Sequence, residues 1–410
     1  MYVKPEELET IQWEPTSYCN ANCLVCPRTD KETLLTQPSI VHTQRHSTTD
    51  DVQAFINSVL DPRLEKLRKI VYNGNIGDSM MHPQIDKILI AIDSDRSDVG
   101  QTIHTNGGGP WAKKFERIGQ YISQKNAKSK SARANINFVF SVDGLEDTNH
   151  LYRRNVQWSH ILKNAEVLRK HKVEVRWRMN RFDHNAHQVD EARQMAKDWG
   201  WDFSLNDGTW GGKEVNDLIH KEKNTTMYKQ KVKDWDIDFD KGNYIIPNDF
   251  PNDTKQYNDV CVWKVHKEIQ IVSDMSVWPC CWTSHHHYLY WLKNKNIWND
   301  KSLKLKQGHI LDLRSVKQWE MLMNHSKEKS YMDLEDIKIT NSHLLCDVLE
   351  SNTYKHIDSN LTTDKNKFNL DVCINSCRHY GHRTNSQVPQ KHKVARIKHN
   401  KEQLTTNTSQ

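Results

Sequence analysis

Six alternations of a short apolar run with a segment of helical spacing limit the folds open to this 410-residue chain. The apolar runs lie at about 9–16, 69–73, 101–105, 136–142, 173–179 and 201–205. Between them, apolar residues recur at the spacing of a helix that buries one face. Such a series predicts parallel strands joined by right-handed crossovers. Both an incomplete (β/α) barrel and an open doubly wound sheet satisfy it.

The positions of the polar and glycine-rich segments favour the barrel. A segment of this kind follows or ends each strand, at 19–26, 74–78, 105–107, 141–144, 178–180 and 206–207. In (β/α) barrels the chemistry lies on loops at the C-terminal ends of the strands. We therefore predict an α/β protein whose residues 1–207 form a partial (β/α)6 TIM-like barrel with its functional residues on one rim.

Three cysteines, Cys19, Cys23 and Cys26, lie on the loop after the first strand. A structural zinc site needs four ligands, usually supplied as two closely spaced pairs. A [4Fe–4S] cluster has four irons, so three thiolates leave one iron open to another ligand. The triplet therefore indicates a cluster with an open coordination position, and half of a zinc site is the alternative.

The composition of the chain narrows the classes of protein to which it could belong. No apolar run is long enough to span a bilayer, and residues 1–7 show no apolar signal segment, so we expect a cytoplasmic protein. Nine cysteines then point to metal or redox chemistry more than to disulfides. The net charge of +6 is concentrated near the end of the chain and forms no basic stripe, so we do not expect nucleic-acid binding.

The second half of the chain has a different organisation. Residues 208–260 lose periodicity and are expected to be a linker or insertion, and 388–410 a disordered basic tail. A smaller α+β region is predicted over 261–387. It contains a β-hairpin pattern at 269–278, and six cysteines: Cys261, Cys280, Cys281, Cys346, Cys373 and Cys377.

The cysteine triplet, together with "NGNIGD", "FSVDGLEDTNHLYRRNVQW", "NAHQVDEARQMAKDWG" and "VWPCCW", resembles the radical S-adenosylmethionine (SAM) superfamily. The likeness extends to its subgroup with a twitch or SPASM-like auxiliary-cluster domain and covers roughly 9–385. It implies that Cys19, Cys23 and Cys26 hold a [4Fe–4S] cluster to which SAM binds. The loop at 74–78 differs from the commoner "GGEP" pattern, with Asp78 for Glu and Ser79 for Pro.

The resemblance also implies contacts to SAM. The residues at the matching positions are Val25, Gly77, Asp78, Asn106, Ser141, Asp143 and Arg178. Structural roles compete with several of these assignments: a turn for Gly77 and Asn106, a cap or turn for Asp143, and a surface ion pair for Arg178.

For the second region the resemblance implies one auxiliary iron–sulfur cluster, with Cys261, Cys280, Cys373 and Cys377 as ligands. Six cysteines are fewer than the seven usual for a two-cluster SPASM domain, which favours the single-cluster twitch arrangement. Cys281 and Cys346 remain, and Cys346 could replace one of the four. A zinc site made of the same residues, with a histidine from 285–287, is the alternative.

The expected activity is therefore reductive cleavage of SAM to a 5′-deoxyadenosyl radical that abstracts hydrogen from a peptide or small molecule. A flavodoxin- or ferredoxin-type protein would supply the electron. The competing class is a non-catalytic zinc-binding module that contacts nucleic acid.

Overall fold

The computed structural model describes residues 2–29, 36, 44–74, 76–128, 133–207, 215–219, 267–280 and 334–360. The predicted tail at 388–410 and all but five residues of the predicted linker at 208–260 lie outside these residues. The expectations for those two segments therefore stay predictions.

The six predicted strands form one parallel sheet in chain order. They are β1 (Thr10–Trp13), β2 (Lys69–Tyr72), β3 (Gly100–Thr105), β4 (Ile136–Ser141), β5 (Val175–Arg181) and β6 (Asp202–Asp207). A doubly wound sheet reverses its strand order at a switch point, whereas a barrel adds each strand beside the previous one. The observed order therefore confirms the α/β class and the arrangement of a partial barrel.

Helices occupy the crossovers between the strands. They are α1 (Thr49–Val59), α2 (Ile85–Asp95), α3 (Ala112–Lys128), α4 (Asn149–Tyr152), α5 (Trp158–Lys170) and α6 (Val189–Asp198). The N-terminal cap of α1 is Thr48, because its hydroxyl accepts a hydrogen bond from the Asp51 amide at 3.1 Å. The Asp51 carboxylate accepts in turn from the Thr48 amide at 2.7 Å, which completes a capping box.

The apolar core lies between the sheet and these helices. Trp13 of β1 stacks on Phe55 of α1 with ring centroids 3.7 Å apart, and both side chains are fully buried. Phe138 and Phe140 of β4 contact Phe115 of α3 in the same layer. Burying each such ring stabilises the fold by about 1.5–3 kcal/mol, which fixes the strands and so positions the loops at their ends.

The predicted hairpin of the second half is present, and its place in the fold was not anticipated. Strand β7 (Glu268–Ile271) pairs antiparallel with β8 (Val277–Trp278), and β7 also pairs parallel with β1. The described strands therefore form one sheet in the order β6-β5-β4-β3-β2-β1-β7-β8. Met275 occupies the turn with a φ of +67°, in the left-handed region that glycine adopts more readily.

Two further helices, α7 (Leu345–Glu350) and α8 (Asn352–Asn360), pack against the first half of the chain. The Leu345 amide donates to the Ser58 hydroxyl of α1 at 3.0 Å, and the Val3 amide donates to the Asp358 carboxylate at 3.0 Å. Residues 267–280 and 334–360, called the second region below, are thus joined to the barrel strands. The predicted domain boundary at 261 lies outside the described residues.

Candidate functional site

The loops at the C-terminal ends of β1 to β5 meet around the three cysteines, and we call this group of loops the rim site. It consists of 14–29, 74 and 76–82, 105–107, 141–153 and 180. Because parallel strands present their C-terminal ends at one edge, the predicted meeting of these loops follows from the sheet. The Asp78 amide donates to the Tyr18 carbonyl at 2.8 Å, which joins the second loop to the first.

The cysteine loop is held by backbone contacts. The Cys26 amide donates to the Cys23 carbonyl at 3.1 Å and closes a turn between the second and third cysteines. The Thr29 hydroxyl donates to the same carbonyl at 2.8 Å. Cys23 is buried, Cys19 and Cys26 are half-buried, and all three are free thiols. Val25, the predicted adenine contact, is half-buried and packs against the core.

Burial raises the pKa of all three thiols, and that of Cys26 reaches about 12. Two cations oppose this effect: Arg28 lowers the pKa of Cys19 and Cys26, and Arg153 lowers that of Cys23. Ligation by a metal requires thiolates, so binding must release protons here. The two guanidinium groups are placed to compensate the negative charge that results.

Arg28 connects two loops of the rim site. Its Nη1 donates to the Ser17 carbonyl at 2.6 Å and to the Ile76 carbonyl at 2.7 Å, and the side chain is almost fully buried. The cation therefore ties the start of the cysteine loop to the glycine-containing loop after β2. Removing it would leave two buried carbonyl groups without these donors.

The loop after β2 is shaped by close backbone approach and by a buried carboxylate. A Cβ atom on Gly77 would lie 1.8 Å from the Thr16 carbonyl oxygen, so only glycine fits. The Glu14 carboxylate accepts from the amides of Ile76 and Gly77 at 2.7 and 2.6 Å. Glu14 directly follows β1 and is fully buried. The predicted cofactor residue Gly77 therefore lies against the cysteine loop, with its amide bound to Glu14.

Two predicted SAM contacts, Asp78 and Asn106, bind each other. The Asp78 carboxylate accepts from the Asn106 amide at 2.8 Å, from its side-chain Nδ2 at 2.7 Å and from the Thr105 hydroxyl at 3.0 Å. Burial raises the pKa of Asp78, and these hydrogen bonds oppose that rise. The Asn106 Nδ2 also lies 4.0 Å from the Cys19 sulfur. The pair thus links the loops after β2 and β3 beside the first cysteine.

A second pair of contacts lies beside Cys23. The Arg153 Nε donates to the Asp143 carboxylate at 2.6 Å, and its Nη1 lies 3.6 Å from the Cys23 sulfur. The other oxygen of Asp143 accepts from the Asn180 amide at 2.6 Å and from its Nδ2 at 3.0 Å. Asp143 is fully buried. Its described partners are therefore protein groups that hold the loop after β4 against the end of β5.

Ser141 and Arg178 are neighbours in the pairing of β4 with β5. Paired residues of parallel strands lie on the same face of a sheet, so both are on the face away from the helices. Ser141 is half-buried and Arg178 is exposed. Their predicted role as SAM contacts stays a prediction.

Sequence reasoning missed Glu14, Arg28 and Arg153. Each carried a signal: Glu14 directly follows an apolar strand, Arg28 lies two residues after Cys26, and Arg153 belongs to the segment that resembles the superfamily. A charged residue beside a run of apolar or cysteine residues is normally exposed unless it has a partner. The partners come from loops far away in the sequence, which spacing alone does not show.

The predicted auxiliary ligands are described only at Cys280, which is buried near the end of β8. Cys261, Cys373 and Cys377 lie outside the described residues, as does Cys281. Cys346 is fully buried in α7, where burial and the Asp61 carboxylate raise its pKa to about 12. The auxiliary cluster and its ligand set therefore stay predictions.

The donor set of the rim site contains the residues that a [4Fe–4S] cluster requires. In such a cluster each cysteine binds a different iron, so the three sulfurs need only surround the cluster. Three free thiols on one loop, with the buried Arg28 and the half-buried Arg153 beside them, match that requirement. Within the described ranges, no group of three His, Cys, Asp or Glu side chains is arranged to hold a single metal ion.

No protein-family profile and no curated protein matches this chain. Among solved structures, the SuiB protein of Streptococcus suis bound to S-adenosylmethionine is similar, with 14% identity and a TM-score of 0.42 over 67% of this chain. This chain spans about 60% of the length of SuiB. A tagged anSMEcpe with bound AdoMet shows 13% identity and a TM-score of 0.41, with 92% of this chain and 100% of that chain covered.

A radical S-adenosylmethionine methyltransferase, TsrM from Kitasatospora setae, was solved with cobalamin and a [4Fe–4S] cluster. It shows 10% identity and a TM-score of 0.33, over 48% of this chain and 36% of that chain. At such identities and TM-scores, the similarity does not decide which reaction this chain catalyses.

Among the helices that the structure describes, none is long and apolar enough to cross a membrane.

Proposed function

We propose that this chain is a radical SAM enzyme whose [4Fe–4S] cluster is held by Cys19, Cys23 and Cys26. The observation that supports it most strongly is the set of three free thiols on one loop with the guanidinium groups of Arg28 and Arg153 beside them. Three thiolates leave one iron free for the amino and carboxylate groups of SAM. The sequence resemblance and the partial barrel support the same assignment.

Cys19, Cys23 and Cys26 would hold the cluster, and when bound and reduced it would supply the single electron that reductive cleavage of SAM to methionine and a 5′-deoxyadenosyl radical requires. The chain itself supplies geometry and charge. Glu14 and Arg28 fix the loop after β2 against the cysteine loop, and the Asp78–Asn106 pair fixes the loop after β3.

The finer points of the proposal concern the cysteines in the second half of the chain and the identity of the substrate. An auxiliary cluster with Cys261, Cys280, Cys373 and Cys377 as ligands would accept an electron or bind the substrate, which we expect to be a peptide or a small molecule. A flavodoxin- or ferredoxin-type protein would deliver the electron. A reducing compartment such as the cytoplasm would keep the described cysteines as free thiols.

Anaerobic reconstitution tests the proposal. We expect about eight irons and eight sulfides per chain and release of 5′-deoxyadenosine when dithionite and SAM are added. One or two zinc ions with no SAM cleavage would instead support the non-catalytic module. Iron binding without 5′-deoxyadenosine under any reductant would identify a degenerate binding protein.

A further inference from the structure

Arg153 is a cationic side chain that reaches both a carboxylate and a cysteine of the rim site. Its guanidinium donates to Asp143 through Nε at 2.6 Å and approaches the Cys23 sulfur through Nη1 at 3.6 Å. The second distance lies within the range for a hydrogen bond to sulfur. The neighbouring Tyr152 ring lies under the guanidinium, with its centroid 5.1 Å away.

The guanidinium is held on several sides. Asp143 is fully buried, and its other oxygen is bound by the Asn180 amide and side chain. The Asn149 side chain accepts from the Asp143 amide at 2.9 Å, which fixes the backbone at the same point. Because a planar guanidinium bound at one edge has little rotational freedom, its remaining N–H groups keep one direction.

We propose that Arg153, positioned by Asp143, raises the reduction potential of the cluster on the cysteine loop by donating a hydrogen bond to the Cys23 thiolate. The inference rests on the proposed function. Reduction adds one negative charge to a cluster that three thiolates already make negative. A cation and an N–H donor at a ligand sulfur stabilise the reduced form more than the oxidised form.

Asp143 limits the size of this effect. Its carboxylate lies on the far side of the guanidinium and opposes it: Arg153 lowers the pKa of Cys23, whereas Asp143 raises it. A buried arginine without a carboxylate would be costly, and so would the carboxylate without the arginine. The pair therefore places a directed N–H group at the sulfur while adding little net charge.

Arg28 differs from Arg153 in the groups to which its guanidinium donates. It also lowers the pKa of Cys19 and Cys26, but its Nη1 donates to the backbone carbonyls of Ser17 and Ile76. Its side chain therefore joins loops, and it is its backbone amide, which a side-chain substitution keeps, that binds the Cys26 sulfur. Of the two arginines, Arg153 is the one whose guanidinium reaches a cysteine sulfur.

The test is a redox titration of the reconstituted full-length protein. Its progress is monitored by the EPR signal that changes when SAM is added. This choice selects the open-site cluster over any auxiliary cluster. For R153Q we expect at least a tenfold lower ratio of reduced to oxidised cluster at a fixed potential, equal to about 59 mV for a one-electron couple. R153K keeps the positive charge but not the planar guanidinium with its several N–H donors, so we expect a smaller decrease in that ratio.

The double variant R153Q/D143N guards against loss of folding, because it removes the uncompensated carboxylate together with the arginine. It should load iron like the wild type and still show the lower potential. The matched control is R154Q, which removes the same charge one residue along the chain and keeps the backbone carbonyl that binds the Asn22 amide. Its potential should equal that of the wild type.

The outcomes separate the two proposals. Wild-type protein that loads the cluster and cleaves SAM, with R153Q and R153Q/D143N at the same potential, would overturn the role of Arg153 alone. An equal decrease in R154Q would do the same, because the effect would then be one of total charge. Wild-type protein that binds no iron on the cysteine loop would overturn both the proposed function and this inference.

Discussion

Cys23 in the rim site and Cys346 in the second region are both buried thiols with a raised pKa, yet they differ in the neighbouring charge that acts on them most strongly. At Cys23 it is Arg153, which lowers the pKa more than Asp143 raises it, and whose Nη1 lies 3.6 Å from the sulfur. At Cys346 it is the Asp61 carboxylate, which adds to the effect of burial more than Arg63 opposes it, and the pKa rises to about 12. The strongest neighbouring charge therefore favours the thiolate at Cys23 and the thiol at Cys346.

The difference shows that burial alone does not mark a cysteine as a ligand. The rim site is held by buried polar side chains, and each of them binds backbone or side-chain groups from another loop. The second region is attached by the pairing of β7 with β1, by apolar packing and backbone hydrogen bonds of α7 and α8, and by partly exposed ion pairs around Arg63. We therefore expect substitutions in the rim site to affect ligand binding as well as stability, and those at Arg63 to affect stability alone.

The largest expected effect is that of C23A. It should abolish release of 5′-deoxyadenosine and remove about four of about eight irons, because a cluster with two remaining thiolates is poorly held. C346A should leave the iron content and the release unchanged and lower the free energy of unfolding by about 0.5–3 kcal/mol. Iron and sulfide analysis of the two purified variants makes the comparison.

Equal iron loss in C23A and C346A would contradict this prediction, since the two cysteines would then serve one site. Loss of all iron in C23A would argue against two independent clusters. A loss of iron confined to C346A would make Cys346 a ligand and would revise the ligand set that we propose for the second region.

The sequence predicted the strands and the meeting of their C-terminal loops because a local pattern determines them. Alternation and helical spacing mark each strand and helix, and parallel order follows from the crossovers. The contact of Glu14 with Gly77, and that of Arg153 with Cys23, join residues 63 and 130 positions apart. Such contacts depend on how loops pack, which no spacing within either segment contains.

The same reason explains the place of the hairpin. The hairpin pattern at 269–278 was predicted from residues within ten positions of one another. Its parallel pairing with β1 joins residues about 258 positions apart, as in Thr10 with Glu268. The edge strand β1 offers hydrogen-bonding groups to any strand that reaches it, so sequence alone did not select β7.

The second-largest expected effect, after that of C23A, is that of E14A. It tests how strongly a buried carboxylate holds the rim site. The substitution leaves the amides of Ile76 and Gly77 without their acceptor, at a cost of about 1–3 kcal/mol for each amide. E14Q retains one carbonyl acceptor and should cost less. Urea unfolding measures both, and SAM affinity should fall in the same order.

The control for Glu14 is E9A, which removes an exposed carboxylate at the opposite end of β1. Its free energy of unfolding should stay within about 0.5 kcal/mol of the wild type. If E14A unfolds at the same urea concentration as E9A, the carboxylate does not hold the loop.

A smaller effect concerns the pH dependence of His82, also in the rim site. Burial lowers its pKa to about 4; Nε2 lies 3.0 Å from the Ser47 carbonyl and Nδ1 accepts from the Gln84 amide. The unfolded chain takes up a proton near pH 6.5 and the folded chain only near pH 4. Stability is therefore full above about pH 6.5 and falls as the pH drops towards 4, by up to about 3 kcal/mol.

Urea unfolding between pH 7 and pH 4 measures this slope. H82Q should be less stable at pH 7 and should show a flatter dependence below pH 6.5. His187 is exposed, so H187Q should leave the slope as it is. An unchanged slope in H82Q would place the pH dependence on other histidines such as the half-buried His104, whose pKa is also lowered, to about 4, by partial burial.

The smallest effect is expected where the second region meets the barrel. Arg63 is 41% exposed and pairs with Asp61 at 2.8 Å and with Asp347 of α7 at 2.9 Å. Exposed pairs of this kind contribute about 0.2–1 kcal/mol, so R63A should cost about 1 kcal/mol at pH 7 and less at high salt. R176A, whose pair with Asp202 is longer at 3.7 Å and more exposed, should cost less still.

The sign of the pH dependence sharpens this prediction. Arg63 lowers the pKa of Asp61, so the stability from this pair is present above the unfolded pKa of about 4 and is lost as the pH falls through the lower folded value. The difference between wild type and R63A should therefore shrink in acid, whereas the slope that His82 causes begins near pH 6.5. A difference that persists at pH 2 would mean that Arg63 acts by packing its side chain and not by its charge.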